Sequence, residues 1–176
     1  VWESLSKDER KTRRDAVKNG NFAKAYGAAW QKIAETLGLK DGDSMRKCRT
    51  YERTFPKLCG LMPTIIRQVK EVGYITTAFG RRLHIPRDQA YMGVNYLGQG
   101  TGAEIIKRAQ VKVSKHLAQT TGDELQLLLP IHDELIIECP RNRLDDAKPI
   151  LREVKELMVD FPGRFKVPFE VDVKVA

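Results

Sequence analysis

Cysteine is scarce in this sequence: Cys48, Cys59 and Cys139 stand far apart, with no Cys-x-x-Cys pair and no Cys/His cluster. An odd count without ligand spacing argues against a disulfide framework or a zinc site, and for reduced thiols in a cytosolic setting. Long apolar runs are missing too. No stretch reaches membrane-spanning length, and the first residues, VWESLSKDER, lack the charged-then-apolar order of an export signal. A soluble, cytoplasmic protein without a membrane partner is expected. There is no internal repeat and no low-complexity linker, and the absent initiator Met leads us to expect a piece of a longer product. Acidic residues are in the minority. Lys plus Arg number 31 against 23 Asp plus Glu, a net charge of +8 and a pI near 9.5, which suits a polyanionic partner. The excess concentrates between Lys7 and Lys24, where Lys7, Arg10, Lys11, Arg13, Arg14, Lys18 and Lys24 face only Asp8, Glu9 and Asp15. At 176 residues the chain can form one substantial core or two small lobes.

Within that basic segment, Arg14, Lys18, Phe22 and Tyr26 recur at a spacing of four. Each residue of an α-helix turns by roughly 100°, so these side chains form one slowly drifting stripe. The stripe runs from cationic to aromatic. Two cations one turn apart can grip adjacent anionic groups such as the phosphates of a triphosphate, and two aromatics offer flat faces for a sugar or base. The same spacing also fits a solvated cationic face continued by core aromatics.

Ser6 and Glu9 form an S-x-x-E capping box that starts a helix near Lys7. Asn19-Gly20-Asn21 predicts a bend or mobile turn inside it, because Gly costs roughly 1 kcal/mol relative to Ala there. Trp30, Ile33, Ala34 and Leu37 fit a short amphipathic helix stopped by Gly38, and Asp41-Gly42-Asp43 a loop. A basic helical pattern follows from Ser44 to Pro56, and Leu58, Leu61, Ile65, Ile66 and Val69 extend a helical period to Gly73. Tyr74 to Pro86 reads as two short β-runs with a turn at Phe79-Gly80. Gln99 to Thr121 is a helix ending at Gly122, with Gln99 near its cap on the residue pattern alone. Leu125 to Cys139 gives two apolar β-runs around a polar centre. Leu144 to Val159 is helical, and Pro168 to Val175 alternates as a final half-buried strand. Helices dominate up to about Arg87, and strand and helix alternate after it.

The polar centre is His132-Asp133-Glu134, projecting from a tight turn. Acidic residues between apolar strands need compensation, and a divalent metal supplies it; a solvated acidic turn is the plainer alternative.

Three blocks now stand in order. Arg14-x3-Lys18-x3-Phe22-x3-Tyr26-Gly27 resembles the fingers-helix signature of family A, DNA polymerase I-like, DNA polymerases. Asn95-x3-Gln99-Gly100-Thr101-Gly102-Ala103-Glu104-Ile105-Ile106-Lys107 is similar to the family's N-x3-Q-G-T-A-A-D-I-I-K, and LLLPIHDELIIE resembles its carboxylate-bearing palm motif. The resemblance implies an α+β fold, with a helical fingers subdomain over residues 1–88 and part of a palm, antiparallel strands with packing helices, over 89–176. It implies a DNA-directed DNA polymerase using dNTPs, primer-template DNA and two Mg2+ ions. Arg14 and Lys18 would bind the triphosphate, with Lys18 a candidate proton donor to pyrophosphate. Phe22 would pack on the sugar and base, and Tyr26 would hold the template-side slot. In this family Phe at the third stripe position goes with poor acceptance of dideoxynucleotides. Arg81 and Arg82, in a GRRL element like the family's, are candidate DNA-backbone contacts. Asn95 and Gln99 would reach the minor-groove edge of the primer-template end, His132 the primer terminus, and Asp133, with Glu134 as a weaker candidate, the metal ions.

Three departures limit the match. The family's D-Y/F-S-x-I-E-type motif, which carries its other metal-binding aspartate, is not in these residues; Tyr91 stands where an Arg usually precedes the Asn; and Pro130 replaces a hydrogen-bonding residue. We therefore expect a fragment or split subunit that is inactive alone, with the upstream polymerase segment as its partner. A non-catalytic DNA-binding module of polymerase architecture is the alternative.

Overall fold

A computed structural model describes residues 3–38 and 41–175. Contacts divide the chain into two units, Val1–Thr77 with Arg81–Gly98, and Ala78–Gly80 with Gln99–Ala176.

The first unit begins with α1 (Lys7–Ala25). Its capping box is complete: Glu9 N donates to Ser6 Oγ at 3.2 Å and Ser6 N to Glu9 Oε2 at 2.9 Å. Two of the amides that a helix start leaves without partners are thereby satisfied, and the Ser6 hydrogen bonds hold the Glu9 carboxyl below its ordinary pKa. The break expected at Asn19-Gly20-Asn21 does not occur, and α1 continues through it as one helix. Gly20 is there for packing: a Cβ would come within 3.2 to 3.3 Å of the Leu37 methyls. Helix α2 (Trp30–Thr36) ends as the sequence predicts, with Leu37 as cap and Gly38 at φ 62°. Helix α3 (Asp41–Thr54) already contains Asp41-Gly42-Asp43, which therefore opens a helix and is not a loop. Helix α4 (Pro56–Val72) starts on proline and ends at Gly73 in the left-handed region.

Strands β1 (Tyr74–Thr76) and β2 (Arg82–His84) pair antiparallel, with Ile75 opposite Leu83. A short 3-10 helix (Arg87–Met92) leads into α5 (Gly93–Thr120), whose first turns belong to this unit. The core joins Ile65 and Val69 of α4 to Ile75, Ile85, Ala90 and Val94, with Leu61, Met62, Ile66, Leu83 and Leu97 around them. Burial of each full-sized side chain contributes roughly 1.5 to 3 kcal/mol. Gly93 lets α5 approach α4, since a Cβ there would lie 2.4 Å from Ile65 Cγ2.

The second unit is built on the rest of α5. That helix starts six residues before the expected Gln99, so Gln99 lies inside it and not at its cap. Val113 and Leu117 of α5 meet Leu125 and, from α6 (Leu144–Val159), Ala147 and Val154. Strands β3 (Gln126–Ile131) and β4 (Glu134–Glu138) form an antiparallel hairpin packed on this core through Leu127, Leu135 and Ile137. Leu128 is an extra residue in β3: Leu127 faces Ile137 and Leu129 faces Ile136, which makes a β-bulge.

The strand expected over Pro168 to Val175 is not formed. Alternation gives a segment two faces, but a strand also needs a hydrogen-bonded neighbour, and this segment joins neither sheet. Phe161 and Phe165, before it, and Phe169, within it, meet edge-on, at centroid distances of 6.2 and 4.9 Å. The α+β expectation holds, as helices with two small antiparallel sheets. The three cysteines are free thiols.

Candidate functional site

In α1 the Gly20 side is locked against Leu37, so the opposite side, which carries the predicted stripe, faces outward. Arg14 and Lys18 are exposed and, among the described residues, have no hydrogen-bond or ion-pair partner. Phe22 is 48% and Tyr26 38% exposed, so the aromatics are not core. Their rings lie 6.1 Å apart and only 9° from parallel, and Lys18 Nζ stands 5.8 Å from the Phe22 centroid. An exposed stacked pair next to two unpaired cations offers apolar faces and positive charge along one line.

The end of α1 fixes Tyr26. Its N–H donates to Phe22 O at 2.9 Å. Gly27 then turns the chain at φ 84°, where a Cβ would meet the Met62 thioether at 2.0 to 2.1 Å. Behind the stripe, Lys24 is committed to structure: Nζ lies 3.9 Å above Trp30 and 3.4 Å from Glu52, which also accepts from Trp30 Nε1 at 3.0 Å. Burial raises the pKa values of Cys48 and Tyr51 on α3.

Arg81 and Arg82 are both exposed. Arg82 lies over Tyr74 at 4.8 Å. Buried Thr77 braces Arg81 at the backbone: Thr77 N donates to Arg81 O at 2.9 Å and Arg81 N to Thr77 Oγ1 at 3.1 Å. Sequence reasoning missed this brace and the anchoring of the neighbouring turn. Ala78 N donates to Thr101 Oγ1 at 3.4 Å, Arg164 donates to Ala78 O at 3.3 Å, and Phe79 packs on Phe161 and Phe165 with Arg108 4.5 Å above its ring. Asn95 and Gln99, four apart on α5, are exposed on one helix face.

His132 and Asp133 form the two-residue turn between β3 and β4, and Glu134 is the first residue of β4. All three are exposed, and none has a side-chain partner among the described residues. His132 adopts φ 54°, a left-handed conformation costing on the order of 1 to 3 kcal/mol for a non-glycine residue. Hard carboxylate oxygens suit Mg2+, yet among the described residues no group of three His, Cys, Asp or Glu could hold a metal ion. The turn fits one anchor of a shared site and does not make a complete one.

Residues 2–176 match the family model described as DNA polymerase family A. The chain belongs to that family. It is 33% identical over 172 residues to the thermostable DNA polymerase I of Thermus filiformis, covering 92% of this chain and 20% of that protein. It is 31% identical over 169 residues to the DNA polymerase I of Bacillus caldotenax, covering 90% and 19%. Among solved structures, the POL domain of Pol1 from M. smegmatis, in complex with DNA primer-template and dNTP, has the same fold, with a TM-score of 0.76 over 96% of this chain and 30% of that one, at 24% identity.

The chain thus spans about a fifth of the length of these relatives. Two of the three departures seen in sequence have a place in the fold: Tyr91 is exposed in the 3-10 helix before α5, and Pro130 sits in β3 opposite Leu135. No helix among the described residues is long and apolar enough to cross a membrane.

Proposed function

We propose that this chain supplies the fingers, over residues 1–88, and the C-terminal part of the palm, over 89–176, of a DNA-directed DNA polymerase that adds dNTPs to a primer by a two-metal mechanism. The observation that carries the reading is the outward face of α1, where Arg14 and Lys18 are unpaired and the Phe22 and Tyr26 rings are stacked and exposed. The cations bind the triphosphate, and Lys18 gives a proton to the departing pyrophosphate. Phe22 packs on the sugar and base, and Tyr26 holds the template-side position. Arg81 and Arg82 grip DNA phosphates. Asn95 and Gln99 approach the minor-groove edge, where acceptors are nearly the same for every base pair, so amides can test pair shape without reading sequence. His132 meets the primer end.

Asp133, with Glu134 in support, is the chain's anchor for Mg2+, which when bound neutralises charge on the triphosphate and activates the primer hydroxyl. A second carboxylate must come from outside these residues, so the chain alone does not extend a primer. The second reading, a non-catalytic DNA-binding module, applies if no such carboxylate joins it: among the described residues no group of three His, Cys, Asp or Glu could hold a metal ion.

The test is binding of a fluorescent dNTP to the chain and to Arg14→Ala/Lys18→Ala. A tenfold or greater loss supports the nucleotide assignment, and equal binding removes it. Primer extension with magnesium and all four dNTPs, run beside Asp133→Ala, is expected to give no product. Extension abolished by Asp133→Ala would show that the chain completes the metal site unaided.

A further inference from the structure

We infer that Gly98 is a positioning residue for Tyr26: by carrying no side chain it gives the Tyr26 hydroxyl a seat against α5, and the size of the residue there sets how the ring is presented to a nucleotide. The inference rests on the nucleotide reading of the α1 stripe and adds to it a residue from a different helix.

Most of Tyr26 is already held. Its N–H donates to Phe22 O at 2.9 Å, its ring lies 6.1 Å from that of Phe22 and 9° from parallel, and Gly27 behind it turns at φ 84° against Met62. The far end of the side chain is different. A Cβ on Gly98 would meet one atom within 4 Å, the Tyr26 hydroxyl oxygen at 3.9 Å. That hydroxyl has no hydrogen-bond partner among the described residues. What receives it is therefore the space left over Gly98, not a polar contact.

Neither backbone conformation nor the core calls for glycine at this position. Gly98 lies inside α5, where glycine is less favourable than alanine, and its φ is outside the left-handed region. Unlike Gly93, it has no core side chain pressed against it. A methyl group 3.9 Å from the hydroxyl makes an ordinary contact. Each further carbon reaches roughly 1.5 Å more, and a β-branched side chain in a helix has one strongly preferred rotamer, so little freedom to turn aside. With its backbone fixed at the helix end, the ring yields by tilting away from Phe22. Asn95 lies three residues before Gly98 and about 60° around the helix, so Gly98 also sets the gap between the Tyr26 ring and that amide.

Fluorine NMR of the full chain labelled with 3-fluorotyrosine reads the contact without any ligand. The chain has five tyrosines, and the signal missing from Tyr26→Phe is that of Tyr26. Gly98→Val should move this signal while those of Tyr51 and Tyr74 stay in place. Binding of a fluorescent dNTP reads the consequence. Affinity should fall with side-chain size, by less than about twofold in Gly98→Ala, about tenfold in Gly98→Val and further in Gly98→Leu. Adding Tyr26→Phe to Gly98→Val removes the atom that is struck and should return affinity to that of Tyr26→Phe alone, a rescue that damage to the fold would not give. Circular dichroism melts check that each variant folds. A Tyr26 signal unmoved by Gly98→Val would overturn the inference, and so would a double variant as weak as Gly98→Val. If the parent bound no dNTP, the nucleotide reading would fall, while the fluorine shift would still decide whether Gly98 seats Tyr26.

Discussion

The two units present their reactive groups in opposite ways. In the first, the stripe stands on a helix capped at both ends and pinned behind by the Gly20–Leu37 contact, so four side chains are spaced before any ligand arrives. In the second, His132, Asp133 and Glu134 sit at the tip of a two-stranded hairpin, with His132 at positive φ and no side-chain partner for any of the three among the described residues. A helix face can bind a ligand by itself, since rigidity and charge are both in place. An unsupported carboxylate turn can only contribute to a site whose other ligands come from elsewhere. Binding and chemistry are therefore expected to separate along the chain.

The sharpest break of that contrast is Asp133→Ala in a polymerase completed with the remainder of the family's palm. Turnover should fall by about a thousandfold or more, while DNA affinity stays within about twofold. Parental turnover would mean that the turn is an ordinary solvated hairpin. Lys18→Ala in the same enzyme should lower kcat/KM by about a hundredfold with DNA binding kept; a change confined to DNA affinity would move Lys18 out of the nucleotide site.

Phe22→Tyr should relax discrimination against dideoxynucleotides by tenfold or more, on the scale of one added hydrogen bond. Equal dideoxy incorporation by parent and variant would remove Phe22 from sugar selection. Gly27→Ala probes the rigidity of the helix end. A Cβ at positive φ pressed against Met62 should cost about 2 kcal/mol, read as a lower denaturation midpoint at unchanged m-value. An unshifted midpoint would show that Tyr26 is not held as described.

The smallest effect is one of pH. Burial raises the Cys48 pKa, so the folded state retains that proton longer than the unfolded chain does. The resulting stability is complete below the unfolded thiol's pKa, ~8.5, and is lost as pH rises through it towards the folded value. Cys48→Ala should flatten this alkaline decline, leaving Tyr51 to act only at higher pH; unfolding curves with the same slope in both proteins would refute it.

Much of the first unit was legible because its signals are local. The Ser6–Glu9 box, the apolar period of α4 and the i, i+4 stripe act within a few turns of one helix, and each appears where the spacing puts it. The failures share one cause, dependence on a distant neighbour. Gly20 reads as a break until Leu37 is beside it, and Gly93 hides the start of α5 until Ile65 explains it. Phe79 is only a turn residue in sequence, because the cations and rings that hold it lie far along the chain, at Arg108, Phe161, Arg164 and Phe165. Pro168 to Val175 has the right alternation but joins neither sheet. At the candidate site, residue types were legible from motif order, whereas the outward facing of Phe22 and Tyr26 required the buried side of α1 to be known.

The bulge at Leu128 has a further consequence for how this sequence can change over generations. A bulge bends its strand and increases the local twist, while the pairs on both sides of it stay in step, Leu127 with Ile137 and Leu129 with Ile136. Deleting Leu128 would leave those pairs in register and remove the bend, re-aiming the turn that bears Asp133. Substitutions at Leu128, an exposed side chain, should be widely tolerated, whereas a single-codon deletion there should not be. Over evolutionary time this position is expected to vary in letter and to stay constant in length.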